Sequence, residues 1–154
     1  MSIYLKPLNP HYIAGFVDGE GCFSICISKH KTLRKRLDVR AVFEIEVRAD
    51  DKEILERIKK QLNCGVMFNC NYKRYGWYPH VKYKISRLCD IKEKLIPFFE
   101  KYPLQAKKAK SLEIFKKAVD LQSKGLHLTP GGIKLLKQLQ QKMRIIGKKH
   151  IWNR

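Results

Sequence analysis

Acidic residues are scarce in this chain of 154 residues. Asp and Glu together number 14 against 33 Lys and Arg, which gives a formal net charge of +19. A chain of this length fits a single domain, and so large an excess of one sign makes a small domain repel itself unless a polyanion is its usual partner. Nucleic acid is the first candidate for that polyanion, and an anionic membrane surface is the second.

Long apolar runs and leader signals are also missing. No stretch approaches the roughly 18 consecutive apolar residues that a membrane-spanning helix needs. The segment Met1–Pro10 lacks the charged start and the apolar stretch of a secretory signal. We therefore expect no membrane partner, an intracellular location and a nucleic acid as the polyanion.

The cysteines form no recognisable metal or disulfide pattern. They number 5, which is odd, and no two have Cys-x-x-Cys spacing. The 5 histidines are scattered and include no His-Glu-x-x-His motif. Both facts disfavour a structural zinc site or a disulfide framework, so we expect a reducing compartment and free, mostly buried thiols. The cysteines are Cys22, Cys26, Cys64, Cys70 and Cys89.

Helical and alternating apolar periods follow one another in a regular order. Asn9-Pro10 is a favourable helix start, and Asp50 with Glu53 predicts a capping box for a later helix. The periods predict a helix over 11–19, strands from 22 and over 39–48, a helix over 54–62, strands over 66–73 and 80–86, helices over 91–99 and 105–124, and a last helix from 130.

This order predicts an α+β fold. Four mostly antiparallel strands form one curved sheet, helices cover its apolar face, and the other face stays polar, basic and open enough to lie in a duplex groove. We find no internal repeat and no low-complexity linker. The chain is therefore expected to be one domain over 1–154, with a core over about 9–117 and a C-terminal helical extension over about 118–154.

One short segment carries a resemblance to a known family. Residues 13–21, Ile-Ala-Gly-Phe-Val-Asp-Gly-Glu-Gly, follow Tyr12 and resemble the motif of the LAGLIDADG homing endonucleases, with a helix before the closing Gly and a strand after it. The element order and the segment 97–104 are also similar to the single-motif, intron-encoded branch. The resemblance covers about 9–117, and more loosely 128–143, and it implies an αββαββα domain with extra C-terminal helices.

Within this motif, Glu20 is the acid best placed for chemistry. Asp18 and Glu20 are two residues apart and point to different sides of a helix, and we expect Asp18 to be structural. Phosphodiester hydrolysis needs an activated water and a neutralised phosphate, which oxygen-liganded Mg²⁺ supplies. The resemblance implies that Glu20 is catalytic, that Glu20 and Gly19 hold Mg²⁺, and that Mn²⁺ substitutes for it.

Counting sites predicts a homodimer. Gly15 and Gly19 share one helix face and allow a second backbone to approach closely. One chain has one motif, whereas cutting both strands of DNA needs two sites. We therefore expect two copies to pair along this helix and to recognise a pseudo-palindromic target, and the resemblance implies short 3′ overhangs. The expected interface residues are Tyr12, Ala14, Gly15, Phe16 and Gly19.

Two further active-site positions follow from the resemblance. A basic residue ahead of the long helix lies near the scissile phosphate in this family, and Lys107 and Lys108 both occupy that stretch. The family often has a Gln toward the end of the second strand that positions water, but this chain has Val47 there. We take the adjacent Arg48 as the substitute.

The strands and loops nominate the DNA contacts. Arg and Asn read guanine and adenine edges, while Lys more often binds phosphate. Glu44 and Glu46 are expected to pair with Arg40 and Arg48, with acceptance from cytosine as the alternative. The strand candidates are Ser24, Ser28, His30, Arg40, Asn69, Asn71, Lys73, Lys82 and Lys84, and the loop candidates are Lys31, Arg34, Lys35, Arg36, Arg74 and Trp77.

The leading interpretation is a site-specific homing endonuclease that cuts both strands of a long double-stranded DNA target. Two alternatives stay open, an RNA maturase that binds its intron RNA and a DNA-binding relative that no longer cleaves. Retained Glu20 favours the nuclease, whereas Val47 fits a relative without cleavage. A bacterial or archaeal cytoplasm and an organelle matrix or stroma are equally compatible with the sequence.

Overall fold

The computed structural model describes residues 6–32 and 36–147. Among these residues, every helix is too short or too polar to cross a membrane. The elements are α1 (Pro10–Glu20), β1 (Gly21–Lys29), β2 (Leu37–Arg48), α2 (Lys52–Leu62), β3 (Val66–Cys70), β4 (His80–Ile85), α3 (Leu88–Asp90), a π-helical turn (Ile91–Leu95), α4 (Ile96–Lys101), α5 (Lys108–Ser123) and α6 (Pro130–Gly147).

The strands form one sheet in the order β1-β2-β4-β3, and every neighbouring pair is antiparallel. The two-residue period of the sequence sets its two faces, because alternate side chains of a strand point to opposite sides. Phe23, Phe43, Ile45 and Tyr83 are buried beneath the helices. The predicted four-stranded α+β architecture is confirmed, and the other face of the sheet is left open.

The helices contribute one continuous core. Ile13 and Val17 of α1 are fully buried, as are Phe115 of α5 and Leu136 of α6. Phe115 packs 5.1 Å, centroid to centroid, from Phe23 of the sheet. Helix α6 thus shares the core of the domain, and the expected boundary near residue 117 falls inside α5. Helix α6 also holds the edge of β1, because Gln140 Nε2 donates to the Ile25 carbonyl oxygen at 2.7 Å.

The helix starts follow the local sequence in two cases out of three. Asn9 Oδ1 accepts from the His11 amide at 2.8 Å and caps α1, as expected. Thr129 Oγ1 accepts from the Gly132 amide at 3.1 Å and caps α6. The capping box expected at Asp50 is wrong, because α2 begins after a 3-10 turn (Ala49–Asp51) without a side-chain cap and the Asp50 carboxylate binds Arg48 instead.

The third strand and the cysteines also differ from expectation. Strand β3 ends at Cys70, since Asn71 Oδ1 accepts from the Lys73 amide at 3.0 Å and starts a turn there. The cysteines are free, as expected, but the expected burial of the thiols is wrong. Cys22 and Cys26 are exposed and Cys70 is half-buried, because these strand residues face the open side of the sheet. Cys89 is exposed on α3, and Cys64 is half-buried in the connection between α2 and β3.

Candidate active site and nucleic-acid interface

Glu20 stands at an abrupt junction between helix and strand. It is the last residue of α1, it is exposed, and β1 begins with the next residue. A Cβ at Gly21 would lie 2.7 Å from Val17 Cγ1 and 2.8 Å from the Val17 carbonyl oxygen, so only glycine fits this close turn. The Gly21 amide also donates to that oxygen. The junction therefore fixes the backbone of Glu20 at the corner of the sheet.

Asp18 connects this corner to the start of α5. Its Oδ2 accepts from the Gln105 amide at 2.8 Å, and its Oδ1 accepts from the Ala106 amide at 3.2 Å. These two amides lie just ahead of Lys107 and Lys108. The expected structural role of Asp18 is confirmed, and its carboxylate is occupied by the chain itself.

The two candidate lysines occupy different surroundings. Lys107 is exposed, whereas Lys108 is half-buried. Burial raises the pKa of the Cys22 thiol, and the Lys108 ammonium opposes that rise, which places Lys108 near the start of β1. Cys22 follows Glu20 by two residues, so the charge of Lys108 acts close to the Glu20 corner, and the choice between Lys107 and Lys108 stays a prediction.

The oxygen donors at this corner are few. No cluster of three or more His, Cys, Asp or Glu side chains occurs among residues 6–32 and 36–147. Glu20 offers one exposed carboxylate, and the Gly19 carbonyl is the neighbouring oxygen. Mg²⁺ commonly keeps several waters and takes one or two carboxylates together with substrate phosphates. A single carboxylate at an open edge is compatible with that mode of binding.

Helix α1 leaves a stripe of small residues exposed. Gly15 and Gly19 are exposed, and a Cβ at either position meets no atom of the described chain within 4 Å, apart from its own helix backbone. Tyr12, which is 50% exposed, stacks on Phe16 beside them, with 6.2 Å between ring centroids. Ala14 was expected in the same interface, but this is wrong. It is buried in the core of its own chain.

The register of the strands defines what the open face displays. Directly paired residues point to the same side, so the face continues from β1 to β3 through the pairs of Glu44 with Lys84 and of Phe68 with Lys82. Asn69 pairs with buried Val81, and its expected place on the open face is therefore wrong. The open face comprises Cys22, Ser24, Cys26, Ser28, Asp38, Arg40, Val42, Glu44, Glu46, Arg48, Val66, Phe68, Cys70, His80, Lys82 and Lys84, and Val42 is the one of these that its neighbours bury.

Charges on the open face are paired, though with other partners than expected. Lys82 Nζ lies 3.5 Å from Glu44 and 3.8 Å from Glu46, and His80 Nδ1 lies 3.2 Å from Glu46. The Tyr72 hydroxyl donates to Glu46 at 2.8 Å, and this hydrogen bond raises the pKa of the phenol. Lys84 completes the group, 3.9 Å from Glu44. The carboxylates are thus held by β4 and not by the arginines of their own strand.

The arginines bind neighbouring aspartates. Arg40 contacts Asp38 at 3.0 Å and Arg48 contacts Asp50 at 2.9 Å. The Arg48 guanidinium also lies 4.3 Å from the centroid of the Tyr78 ring. Val47 packs against the core and offers no polar group to a water molecule. The role of Arg48 as a substitute for the water-positioning Gln stays a prediction, and its guanidinium is already engaged.

The remaining nominated residues border the sheet. Ser24, Ser28, Lys82 and Lys84 lie on the open face as expected. Lys31, Arg36, Lys73, Arg74 and Trp77 are exposed on the connecting loops, where Trp77 is 62% exposed. His30 lies at the end of β1, its Nδ1 3.3 Å from the Thr32 amide, and Arg34 and Lys35 lie outside the described residues.

Comparison with known proteins assigns the chain to a family. The model of the LAGLIDADG endonuclease family matches residues 13–119, which is more than half of the sequence. The chain belongs to this family. It is 33% identical over 128 residues to the probable intron-encoded endonuclease 2 of Neurospora crassa, a match that covers 82% of this chain and 27% of that protein.

Two solved structures of homing endonucleases resemble this chain over different shares of their own length. The I-LtrWI homing endonuclease bound to target DNA matches with a TM-score of 0.82 at 31% identity, over 90% of this chain and 45% of that chain. The homing endonuclease I-TnaI matches with a TM-score of 0.80 at 27% identity, over 92% of this chain and 95% of that chain. The chain thus spans about a quarter of the Neurospora relative, under half of I-LtrWI and nearly all of I-TnaI.

Proposed function

We propose that this LAGLIDADG chain is a site-specific homing endonuclease that hydrolyses phosphodiesters on both strands of a double-stranded DNA target. The observation that carries the proposal is the corner where α1 meets β1. There an exposed carboxylate, Glu20, ends α1 at the edge of an open sheet, two residues before Cys22, whose thiol is influenced by the Lys108 ammonium. The family membership and the solved relative bound to target DNA support this function.

The residues of the corner have separate tasks. The Glu20 carboxylate and the Gly19 carbonyl would hold Mg²⁺, or Mn²⁺ in its place, against a scissile phosphate. When bound, the ion supplies Lewis acidity and lowers the pKa of a bound water. Lys108 stabilises the negative charge that develops on the phosphate, and Asp18 keeps the α5 start in place for it.

A second copy of the chain completes the enzyme in this proposal. The stripe of Tyr12, Gly15 and Gly19 is exposed, and helices with small residues pack closely. This chain matches under half of I-LtrWI, whose length leaves room for a second unit, and it matches nearly all of I-TnaI, which has the length of one unit. Both lengths are compatible with an enzyme made of two paired units. A symmetric pair reads two equal half-sites, which calls for a pseudo-palindromic target.

The test is selection of cleaved duplexes from a randomised DNA library by the purified chain. We expect both strands of one pseudo-palindromic sequence to be cut in Mg²⁺ or Mn²⁺, with short 3′ overhangs, and no product in EDTA. The same reaction with Ca²⁺ shows whether binding survives without cleavage. Absence of any sequence-specific product in all metals would overturn the proposed function.

Gly19→Leu tests the pairing separately. Outside its own helix backbone no described atom lies within 4 Å of a Cβ at this position, so the variant should fold and lose its partner. We expect sedimentation to shift from dimer to monomer at micromolar concentration and paired-strand cleavage to fall. Gly131→Leu is the matched control, since that helical glycine is equally open and lies on α6. An unchanged dimer in Gly19→Leu would contradict the proposed interface.

A second candidate function is sequence-specific DNA binding without cleavage. It is favoured by Val47, whose apolar side chain packs on the core where the family often has a Gln. Specific duplex retention without cutting in any metal would support it. A maturase is the remaining alternative, and binding of a structured intron RNA in preference to the selected duplex would support that one.

A further inference from the structure

We infer that the outer strand β3 recognises thymine methyl groups through Val66 and Phe68. The register places Val66 opposite Lys84 and Phe68 opposite Lys82, so both apolar side chains stand on the open face of the sheet. They are 55% and 46% exposed. The inference rests on the proposed function, because it assigns a specificity role to a face that lies against DNA.

These two side chains are out of place on a solvent-facing strand. Single exposed apolar residues are common, but two in alternate positions form a continuous apolar strip. The strip lies beside Lys82 and Lys84, whose ammonium groups are paired with Glu44 and Glu46, so its neighbours are fixed donors and acceptors of the kind that base edges match. The strip also lies on the same face of the sheet as the polar residues of β2 and β4. One ligand would therefore contact the strip and those polar residues together.

Thymine is the base that rewards an apolar side chain. In the major groove each base pair shows hydrogen-bond donors and acceptors, and only thymine adds a C5 methyl group. Val66 and Phe68 have no hydrogen-bonding group to offer a base edge, so discrimination by these residues must come from contact with that methyl. The same contact is lost at a cytosine or a purine, which makes the strip selective.

The spacing of the strip predicts the spacing of the thymines. Alternate residues of a strand are about 6.8 Å apart, and successive base pairs rise about 3.4 Å. Val66 and Phe68 therefore reach thymines about two base-pair steps apart in each half-site. Because β3 is the outer strand of the sheet, these positions are separate from those that face β1.

The test replaces thymine by deoxyuridine, which removes the methyl and changes no hydrogen-bonding group. Each position of the selected duplex is replaced in turn, and affinity is measured by gel shift in Ca²⁺. We expect about a fourfold loss at two positions per half-site, the size of one buried methyl contact. Cytosine at one of these positions should weaken binding, and 5-methylcytosine at the same position should recover part of the lost affinity because it restores the C5 methyl group.

Protein variants assign the effect to the strip. Phe68→Ala should bind the thymine and uracil duplexes equally at one of the positions, and Phe68→Leu should keep some preference. Asn69→Ala is the matched control, because Asn69 is exposed on the same strand but points to the other side, and it should leave the preference unchanged. Since the side chains of Phe68 and Asn69 are exposed, the variants at these two positions should keep the thermal unfolding midpoint of the wild type.

The outcomes separate this inference from the proposed function. Specific binding that ignores every uracil replacement would overturn the inference and leave the proposed function standing. Failure to select any specific duplex would overturn both. A change in sedimentation of Phe68→Ala, without a change in thymine preference, would show that the strip binds protein and would also overturn the inference.

Discussion

The centre of the open sheet face and the loops that border it both carry basic residues, but those at the centre are paired with carboxylates and several of those on the loops are not. At the centre, Glu44 and Glu46 are held by Lys82, Lys84 and His80, so the positive charges there are largely balanced. On the borders the described lysines at 31, 73 and 107 form no ion pair within residues 6–32 and 36–147. The net charge of +19 therefore resides mainly outside the strands.

This difference separates affinity from specificity. In the proposed complex, unpaired border cations would neutralise phosphates and release counterions, which gives affinity without sequence information. A balanced centre adds little to that term, but its donors and acceptors are fixed in position by each other and can meet base edges. The C-terminal part of the sequence is basic as well, since residues 121–154 contain no Asp or Glu.

The largest expected loss of cleavage follows from a change at neither region but at Glu20, where α1 meets β1. Glu20→Gln should lower single-turnover cleavage at least about a thousandfold, because loss of a metal ligand removes several kcal/mol of stabilisation and about 1.4 kcal/mol is tenfold. Binding should be unchanged, since the border residues remain. Cleavage is measured on the selected duplex, with Glu100→Gln, an exposed glutamate of α4, as the control. Near wild-type cutting would remove Glu20 from the site.

A smaller loss of cleavage is expected at Asp18. Asp18→Asn keeps one acceptor for the amides of Gln105 and Ala106 but loses the charge, so the α5 start should loosen by about 1 kcal/mol. We expect about a tenfold slower single-turnover rate at saturating protein with an unchanged dissociation constant. Hydrogen exchange of the two amides should rise in parallel. A slower rate with unchanged exchange would argue against a positioning role.

The sequence specified the fold and the corner because their signals are local. Alternation fixed the faces of β1 and β2, and the spacing of Asp18 and Glu20 separated a structural acid from an exposed one. The prediction of which β3 side chains face the open side was wrong for a physical reason. Its five residues carry apolar side chains on both faces, so the pattern could not place Asn69 or reveal Phe68.

Two other errors arose from contacts distant in sequence. The partners of Glu44 and Glu46 depend on which residues of β4 lie opposite, and no local pattern contains that register. Ala14 and Gly15 are both small and adjacent, yet the first faces the core and the second faces solvent. A run of small residues indicates close packing of α1 without indicating which partner each residue meets.

The border is tested by removing two of its cations. Lys73→Ala combined with Arg74→Ala should weaken binding to selected and random duplexes alike, because loop cations bind phosphate. The slope of log affinity against log salt should flatten by up to about 1.8, or 0.9 for each lost contact. Lys59→Ala with Lys60→Ala on α2 is the charge-matched control. Equal slopes for the Lys73 variant and the wild type would show that this loop does not touch DNA.

The smallest effect is expected at the centre and bears most directly on the comparison. Glu46→Gln with Lys82→Gln removes an adjacent acid and base, so the net charge is unchanged. If the centre reads bases and does not bind phosphate, the salt slope should stay the same while preference at a few positions of each half-site relaxes about threefold to tenfold. Repeating the library selection with this variant measures that profile. A flatter salt slope with an unaltered profile would reverse the assignment, because it would show that Lys82 binds phosphate despite its carboxylate neighbours.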